Sequence, residues 1–501
     1  MAKRAPTHSL YAAGSNSHGQ LAPLHRDDLA RWTRISLPPH LEHSAVKGLA
    51  CGANHSLVVA VDRQGRAHLL AAGSDARGQL SARPDPRLRL AFEPVDLEQL
   101  CTDLQLPLPV AGYEVERVAA SWETSFVVLR PRDPASGASD VLLSFGANDW
   151  GERGTSSAAR NRSSIVALEE ACLEAGGAPT MLQVVDLVAG PRHALALVED
   201  RPSSLPPGQT ATPSPPRRRL LGWGASRHGQ LGLGPSSSTA PRTTPIPHEV
   251  LLPAPHHASS VVGLSVGRDH SAVLLRRAEG DVEQVLLLGS NKHGQLGAPL
   301  VDPRAVSSTT TRHHLVDGSD LAPTSAPLVP HLVNAVHCTW SSTFLALSSP
   351  ACAPPLLAFG LNGHGQLGAP SSALSPRDEL GVAPALPPSR TVHALAAGSE
   401  HVLALLDGGD EEPQVWGWGW NEHGNLGLAA GEGDVQTERE GEEERGLVVP
   451  ADVRSPRRVW PPDEDDAGAS GEQRRLRGRP VRVWAGMASS WILVEEDGAA
   501  A

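Results

Sequence analysis

The sequence predicts an all-β chain, a seven-bladed β-propeller closed by pairing of its N- and C-terminal segments in one shared blade. Three observations carry this expectation. A glycine-rich motif recurs seven times, a second motif built on a Gly-x-x-His turn alternates with it seven times, and the first motif stands alone at the start while the second stands alone at the end. Self-similarity of this kind is read before anything else, because a missed repeat misassigns the whole fold.

The first motif reads YAAGSNSHGQLA at 11, LAAGSDARGQLS at 70, LSFGANDWGERG at 143, LGWGASRHGQLG at 221, LLGSNKHGQLGA at 287, AFGLNGHGQLGA at 358 and WGWGWNEHGNLG at 416. Each copy is a short apolar strand running into Gly-x-Asn-x-x-Gly-Gln-Leu-Gly or a near variant. Glycine at the first and sixth positions permits positive φ and close strand approach, and the Asn side chain suits a hydrogen bond to its own turn. A phosphate cradle would occur once, open a helix and carry a lysine, so the glycines are read as turn residues.

The second motif reads VKGLACGANHSLVV at 46, VERVAASWETSFVV at 115, VVDLVAGPRHALAL at 184, VVGLSVGRDHSAVL at 261, VNAVHCTWSSTFLA at 333, VHALAAGSEHVLAL at 392 and VRVWAGMASSWILV at 481. Two apolar strands bracket each turn, so a motif pair makes one antiparallel sheet of about four strands. Sheets arranged radially leave only short, protected edges. Residues 8–22 are expected to pair with 481–497, giving a single propeller domain over 1–501.

Composition narrows the function. The 501 residues are 40% hydrophobic, enough for a large core, and carry a formal charge of -12. An acidic chain of pI about 6.0 is not built chiefly to neutralise nucleic-acid phosphates, so no direct nucleic-acid partner is expected. Cys51, Cys101, Cys172, Cys338 and Cys352 form no C-x-x-C pair, which indicates neither a disulfide framework nor a zinc site. The opening MAKRAPTHSL lacks the apolar core of a secretory signal and no membrane-length apolar stretch occurs, so a cytoplasmic location, extending to the nucleus, is expected without a membrane partner.

Between motifs, 82–112, 155–182, 235–258 and 300–330 are rich in Pro, Ser and charge. Two segments are expected to be disordered insertions, 201–219 and 429–479. The second holds EREGEEERG and then a basic stretch, halves that could pair with each other or compete for a partner. LEEACLEAGG at 168–177 reads as a short helix.

The paired motifs resemble the repeats of the regulator of chromosome condensation family, seven-bladed propellers, over nearly the whole chain. That family includes an exchange factor for the nuclear-transport GTPase, a plant UV-B photoreceptor, and a fungal alpha-tubulin suppressor type similar to killer-toxin-insensitivity proteins. The last is closest in layout. This resemblance implies a non-catalytic adaptor that binds a small metal-binding electron-carrier protein and supports tRNA wobble-uridine modification and diphthamide synthesis, as a monomer or heterodimer. The alternative is a guanine-nucleotide exchange factor for a Ran-like small GTPase. Against exchange stand the nine residues before the first expected strand, too few for a long basic tail.

His55, His193, His270 and His401 share one repeat position with Thr124, Ser342 and Ser489, which marks a structural turn residue, not a catalyst. The two residues between Gly and His are, by resemblance, a ring on the partner-binding face. The expected contacts are Asn54, Trp122, Glu123, Arg192, Arg268, Asp269, Trp340 and Glu400, with Trp122, Trp340, Arg192 and Arg268 as anchors worth ~1 to 3 kcal/mol each. For exchange, Glu123, Asp269 and Glu400 are the acids placed to compete with a GTPase's phosphate and metal site. Trp223, Trp416 and Trp418 are read as strand packing, and Trp150, Trp420 and His423 as a second contact zone. Photoreception would need Trp and Arg clustered from neighbouring blades, and Trp122 and Trp340 stand three blades apart. No G-x-S-x-G, H-E-x-x-H or Walker A segment points to an enzyme, a metal or a cofactor.

Removing the last twenty residues is expected to lower the melting temperature of the entire protein; a truncated chain that melts cooperatively at the same temperature would refute the closure.

Overall fold

The computed structural model describes residues 7–81, 83–103, 110–155, 165–172, 180–202, 217–232, 242–252, 258–276, 284–297, 313–317, 332–348, 355–369, 381–428, 449–462 and 476–496. The chain opens with β1 (Thr7–Gly14) and β2 (Leu29–Ile35), then lays down one sheet after another. Blade 1 is β3 (Ala45–Cys51), β4 (His55–Val61), β5 (Ala67–Asp75) and β6 (Asp85–Pro94). Helix α1 (Leu97–Asp103) leads to blade 2, made of β7 (Tyr113–Ala120), β8 (Thr124–Pro131) and β9 (Val141–Gly146). After α2 (Leu168–Cys172), blade 3 holds β10 (Thr180–Ala189), β11 (His193–Pro202), β12 (Arg217–Ala225) and β13 (Thr243–Glu249). Blade 4 is β14 (Val261–Val266), β15 (His270–Leu275), β16 (Gln284–Gly289) and β17 (His313–Asp317).

Blade 5 is β18 (Leu332–Cys338), β19 (Ser342–Ser348) and β20 (Leu356–Gly360), and blade 6 is β21 (Thr391–Ala397), β22 (His401–Gly408), β23 (Glu411–Trp420) and β24 (Asp452–Trp460). The last strands, β25 (Arg479–Ala485) and β26 (Ser489–Glu496), join the first two in a sheet of order β2-β1-β26-β25. There β1 pairs antiparallel with β26 from Thr7↔Glu496 to Gly14↔Ser489. The seven sheets make an all-β propeller.

Burial explains the order of strands within a blade. The second strand is covered on both faces by neighbouring blades: β4, β8, β15 and β26 are buried over six consecutive residues. Their sequences are accordingly continuous apolar runs, not alternating ones. The first strand of every blade carries a bulge near its outer end, at Val46/Gly48, Val115/Arg117, Val184/Asp186, Val261/Gly263, Val333/Ala335, Val392/Ala394 and Pro480/Arg482. A bulge increases local twist, here at the same step of each blade.

Outer strands correct the reading of the linkers. β6, β13 and β17 come from 82–112, 235–258 and 300–330, and β24 comes from within 429–479, where a disordered insertion was expected. At the edges of 201–219, residues 201–202 close β11 and 217–219 open β12. The rest of these two expected insertions, 203–216, 429–448 and 463–475, lies outside the described residues. The composition misleads for a physical reason: an edge strand is protected by proline and charge, and β6, β13 and β24 carry Pro86, Pro245, Pro247, Pro456, Arg87 and Arg457.

The histidines of the Gly-x-x-His turns tie blade to blade. His55 Nε2 lies 3.0 Å from Ser125 Oγ of the next blade, His193 Nε2 2.9 Å from Ser271 Oγ, His270 Nε2 3.1 Å from Thr343 Oγ1 and His401 Nε2 3.0 Å from Ser490 Oγ. Ser125 and Thr343 donate their own hydrogens to the carbonyls of Gln79 and Gln295, at 2.6 and 2.8 Å, so these hydroxyls accept from Nε2–H. Each Nδ1 is buried without a hydrogen-bond partner, and a proton there would be a charge with no acceptor. Burial accordingly pushes His55 and His270 down to about 3 and His193 and His401 down to about 4.

The sign of the resulting pH dependence is fixed. Folded values lie below the unfolded value of about 6.5, so the unfolded chain binds protons that the folded chain refuses as pH falls. The melting temperature should drop between pH 7 and 5, above the main carboxylate range. His270→Gln should shallow that slope in differential scanning calorimetry. An unchanged slope would mean the histidines are solvated.

Candidate partner-binding ring

The turn that follows each first strand sits at one mouth of the central channel, and its geometry is repeated. The N–H of the residue before the two turn positions donates to the carbonyl of the residue after them, as in Gly52 to His55 and Gly267 to His270, both at 2.9 Å. A Cβ on Gly267 would collide with the folded-back His270 ring, which is why glycine opens this turn. The first-motif glycine supports the turn from beside it. At Gly289, with φ of 112°, a Cβ would sit 2.5 Å from the carbonyl oxygen of Asp269, and the next N–H, of Ser290, donates to that oxygen at 2.9 Å. Gly224 repeats the arrangement beneath Arg192.

Neighbouring turns are also linked through backbone. Ala53 N–H donates to Trp122 O at 2.8 Å, Trp122 N–H to Pro191 O at 3.4 Å, Arg268 N–H to Trp340 O at 3.1 Å and Trp340 N–H to Ser399 O at 2.8 Å. Pro191 has no N–H to continue the series into blade 4. The backbone and the histidine therefore do structural work at this rim, while the two intervening side chains are left to vary.

Those side chains do not stay apart. Trp122 and Trp340 meet with ring centroids 5.8 Å apart and planes inclined by 33°. This corrects the expectation that three blades of separation keeps them distant: in a ring of seven, blades 2 and 5 face each other across the channel. Trp122 is 46% exposed. Beside the pair opens a pocket of about 350 Å³ lined by Trp122, Trp340, Trp150, Glu123, Arg192 and Arg268, together with Asp149 and Glu152.

Of the eight expected contacts, Trp122, Glu123, Arg192, Arg268 and Trp340 line this pocket, while Asn54, Asp269 and Glu400 do not. Asn54 donates to Glu123 at 3.0 Å and Asp269 accepts from Arg268 Nε at 3.1 Å, so both support lining residues from behind. Glu400 accepts from the Gln366 amide at 2.5 Å; burial pushes its carboxyl up to about 7, against the opposing pull of Gln366, His364 and Arg268.

Trp150, expected in a second zone, belongs to this same pocket, with the Arg192 guanidinium 4.4 Å above its ring. Trp420 and His423 form a separate cluster with His364, at centroid distances of 5.2 and 6.2 Å from the indole. Trp223 and Trp418 are buried packing residues whose indole N–H groups donate to Glu152 O and Gln366 O of the preceding blade, at 2.7 and 2.8 Å.

Asp149, Trp150 and Glu152 were missed as a group, although a signal existed. They occupy LSFGANDWGERG, where Trp replaces the usual His and Glu the usual Gln of His-Gly-Gln-Leu. The copy that breaks its repeat marks the pocket. Among the described residues, no group of three or more His, Cys, Asp or Glu is arranged to hold a metal, and no helix is long and apolar enough to cross a membrane.

Two segments, 219–274 and 392–425, match the model of the regulator of chromosome condensation (RCC1) repeat. A curated relative, the secretion-regulating guanine nucleotide exchange factor of Bos taurus, is 27% identical over 298 residues, covering 58% of this chain and 50% of that one. Its Mus musculus counterpart is 27% identical over 305 residues with the same coverage. The chain thus spans about half the length of these relatives. Human WBSCR16 superposes with a TM-score of 0.61 at 16% identity, covering 98% of this chain and 99% of the other. Prp20p of Saccharomyces cerevisiae, described with its binding to Gsp1p and histones, gives a TM-score of 0.63 at 16% identity over 99% and 93%. The class is a seven-bladed propeller with an open turn ring at one mouth of its channel. Within this chain's propeller, 219–274 and 392–425 are segments similar to the regulator of chromosome condensation repeat.

Proposed function

We propose that this chain binds a small GTPase across its turn ring and promotes guanine-nucleotide exchange, acting through protein binding and not covalent chemistry. The observation that carries the reading is the gathering of Trp122, Trp150, Trp340, Arg192 and Arg268 at one channel mouth. Trp and Arg are the residue types that dominate binding energy at protein interfaces, and a rigid frame spares them ordering entropy. Support also comes from the curated relatives named as exchange factors. The expected adaptor role, with a small metal-binding electron carrier in tRNA modification and diphthamide synthesis, has no such support and gives way to exchange. A cytoplasmic site of action, extending to the nucleus, belongs to the same proposal.

An exchanger weakens the hold of a GTPase on phosphate and magnesium, and the ring supplies three acids for this. Glu123 is engaged by Asn54 at 3.0 Å and by Arg77 at 3.6 Å, and Asp269 by Arg268 at 3.1 Å. Among the described residues Glu400 meets only the neutral Gln366 amide at hydrogen-bond distance, so it is the carboxylate with most to offer a partner's cation. Its carboxyl titrates at about 7, raised by burial, so its anion forms as pH rises through neutrality.

Release of fluorescent GDP from purified small GTPases, a Ran-like one first, tests this. Acceleration should be seen at substoichiometric propeller, should increase from pH 6 to 8, and should lose that increase in Glu400→Gln. A GTPase that is bound with no change in GDP release would refute exchange.

A further inference from the structure

The pocket beside Trp122 and Trp340 is electrically lopsided in a way that identifies what fits it. Its acids are already satisfied by the protein. Arg77 grips Asp149 with bonds of 2.9 and 3.0 Å and reaches Glu123 at 3.6 Å, Asn54 also binds Glu123, and buried Glu152 accepts the Trp150 N–H at 2.6 Å. Its bases keep donors to spare. Among the described residues Arg192 has no carboxylate within ion-pair distance and lies over Trp150, and Arg268 spends its Nε on Asp269, at 3.1 Å, and acts on Glu400 from farther off. A guanidinium stacked on an indole keeps its in-plane N–H groups free for an acceptor.

Apolar surface continues outward from the same point. The Trp150 loop packs on β13, since a Cβ on Gly151 would meet Pro245 Cα at 2.8 Å. Ile246, the next residue of β13, is 40% exposed, as is Trp150. Three of the large apolar side chains that the fold leaves exposed, Trp122, Trp150 and Ile246, thus fall in one sector of the ring, over blades 2 and 3.

We propose that this sector anchors an extended partner segment carrying an apolar side chain beside a carboxylate. The apolar group packs on Trp122, Trp340 and Trp150, and the carboxylate takes the N–H groups of Arg192 and Arg268. A pocket of about 350 Å³ suits one or two side chains, not a folded domain. This deepens the partner-binding reading of the ring by placing the contact off the channel axis and stating its chemistry. It leaves the exchange step to Glu400.

The test is selection of a phage-displayed peptide library on the full chain, followed by tryptophan-fluorescence titration of a recovered peptide. Recovered sequences should place Asp or Glu within one residue of Leu, Ile, Phe or Met. Arg192→Gln should weaken binding about tenfold, and changing the peptide's carboxylate to its amide should cost about the same in the wild type but little more in Arg192→Gln. Arg192→Lys, which keeps the charge but not the fork, should fall between. A basic or uncharged consensus, no enrichment, or affinity indifferent to Arg192→Gln would overturn the proposal. So would GDP or inorganic phosphate quenching the same tryptophans and displacing the peptide, which would reassign the pocket to a phosphate ligand. Peptide binding without GTP-ase exchange would remove only the exchange reading, and exchange without peptide binding only this one.

Discussion

The contact on which the rest of this structure depends is the hydrogen bond from a buried turn histidine to a hydroxyl of the next blade. A propeller blade cannot bury its faces alone, and each must be held in register with a neighbour that differs from it in sequence. His55, His193, His270 and His401 supply that register directly beneath the channel mouth. A buried hydrogen bond of this kind contributes about 1 kcal/mol, and leaving either partner unsatisfied costs about 1–3 kcal/mol. Where the bond is absent, both partners are absent at two of three junctions; at the third, Ser489 stands by repeat position opposite Ser56, whose hydroxyl donates to Cys51 Sγ at 3.6 Å instead. Thr124 and Ser342 replace the histidine and turn back to carbonyls of their own blades, Ala147 and Leu361, at 2.8 Å each, and the facing residues of the next blades are Ala194 and Val402.

That pairing was legible. Reading the residue after each histidine position against the preceding repeat gives Ser125, Ser271, Thr343 and Ser490 opposite histidines, and Ala194 and Val402 opposite Thr124 and Ser342; Ser56 opposite Ser489 is the one junction that departs from the rule. The fold class was legible too, because three of the four strands in a blade carry motif residues. The outer strands were not, since an exposed edge asks for proline and arginine, as in β24, and those residues look the same in a loop. The site was half legible. Position in the turn identified Trp122, Arg192, Arg268 and Trp340. Sequence distance gave no sign that blades 2 and 5 face each other, so the contact of Trp122 with Trp340 came only from the ring.

The division of labour within one turn explains how such a frame is reused. Glycine and histidine are held by backbone closure, a stacked ring and an inter-blade bond, so changes there disturb two blades at once. The two residues between them project from a backbone fixed on every side: the Asp269 carbonyl is held by Ser290 N–H, and Arg268 N–H is held by Trp340 O. Their side chains can vary without loosening the frame, and a contact surface built from them is preorganised. In this chain that freedom produces a sector rich in tryptophan and arginine over blades 2 to 5, with Glu400 outside it.

The most direct test of this division compares two substitutions two residues apart, His270→Ala and Arg268→Ala, for melting temperature and for capture of the GTPase. The account predicts that His270→Ala lowers the melting temperature by several degrees, and that Arg268→Ala leaves it within about 1 °C while weakening capture at least several-fold. A large loss of stability from Arg268→Ala, or unchanged capture, would contradict it.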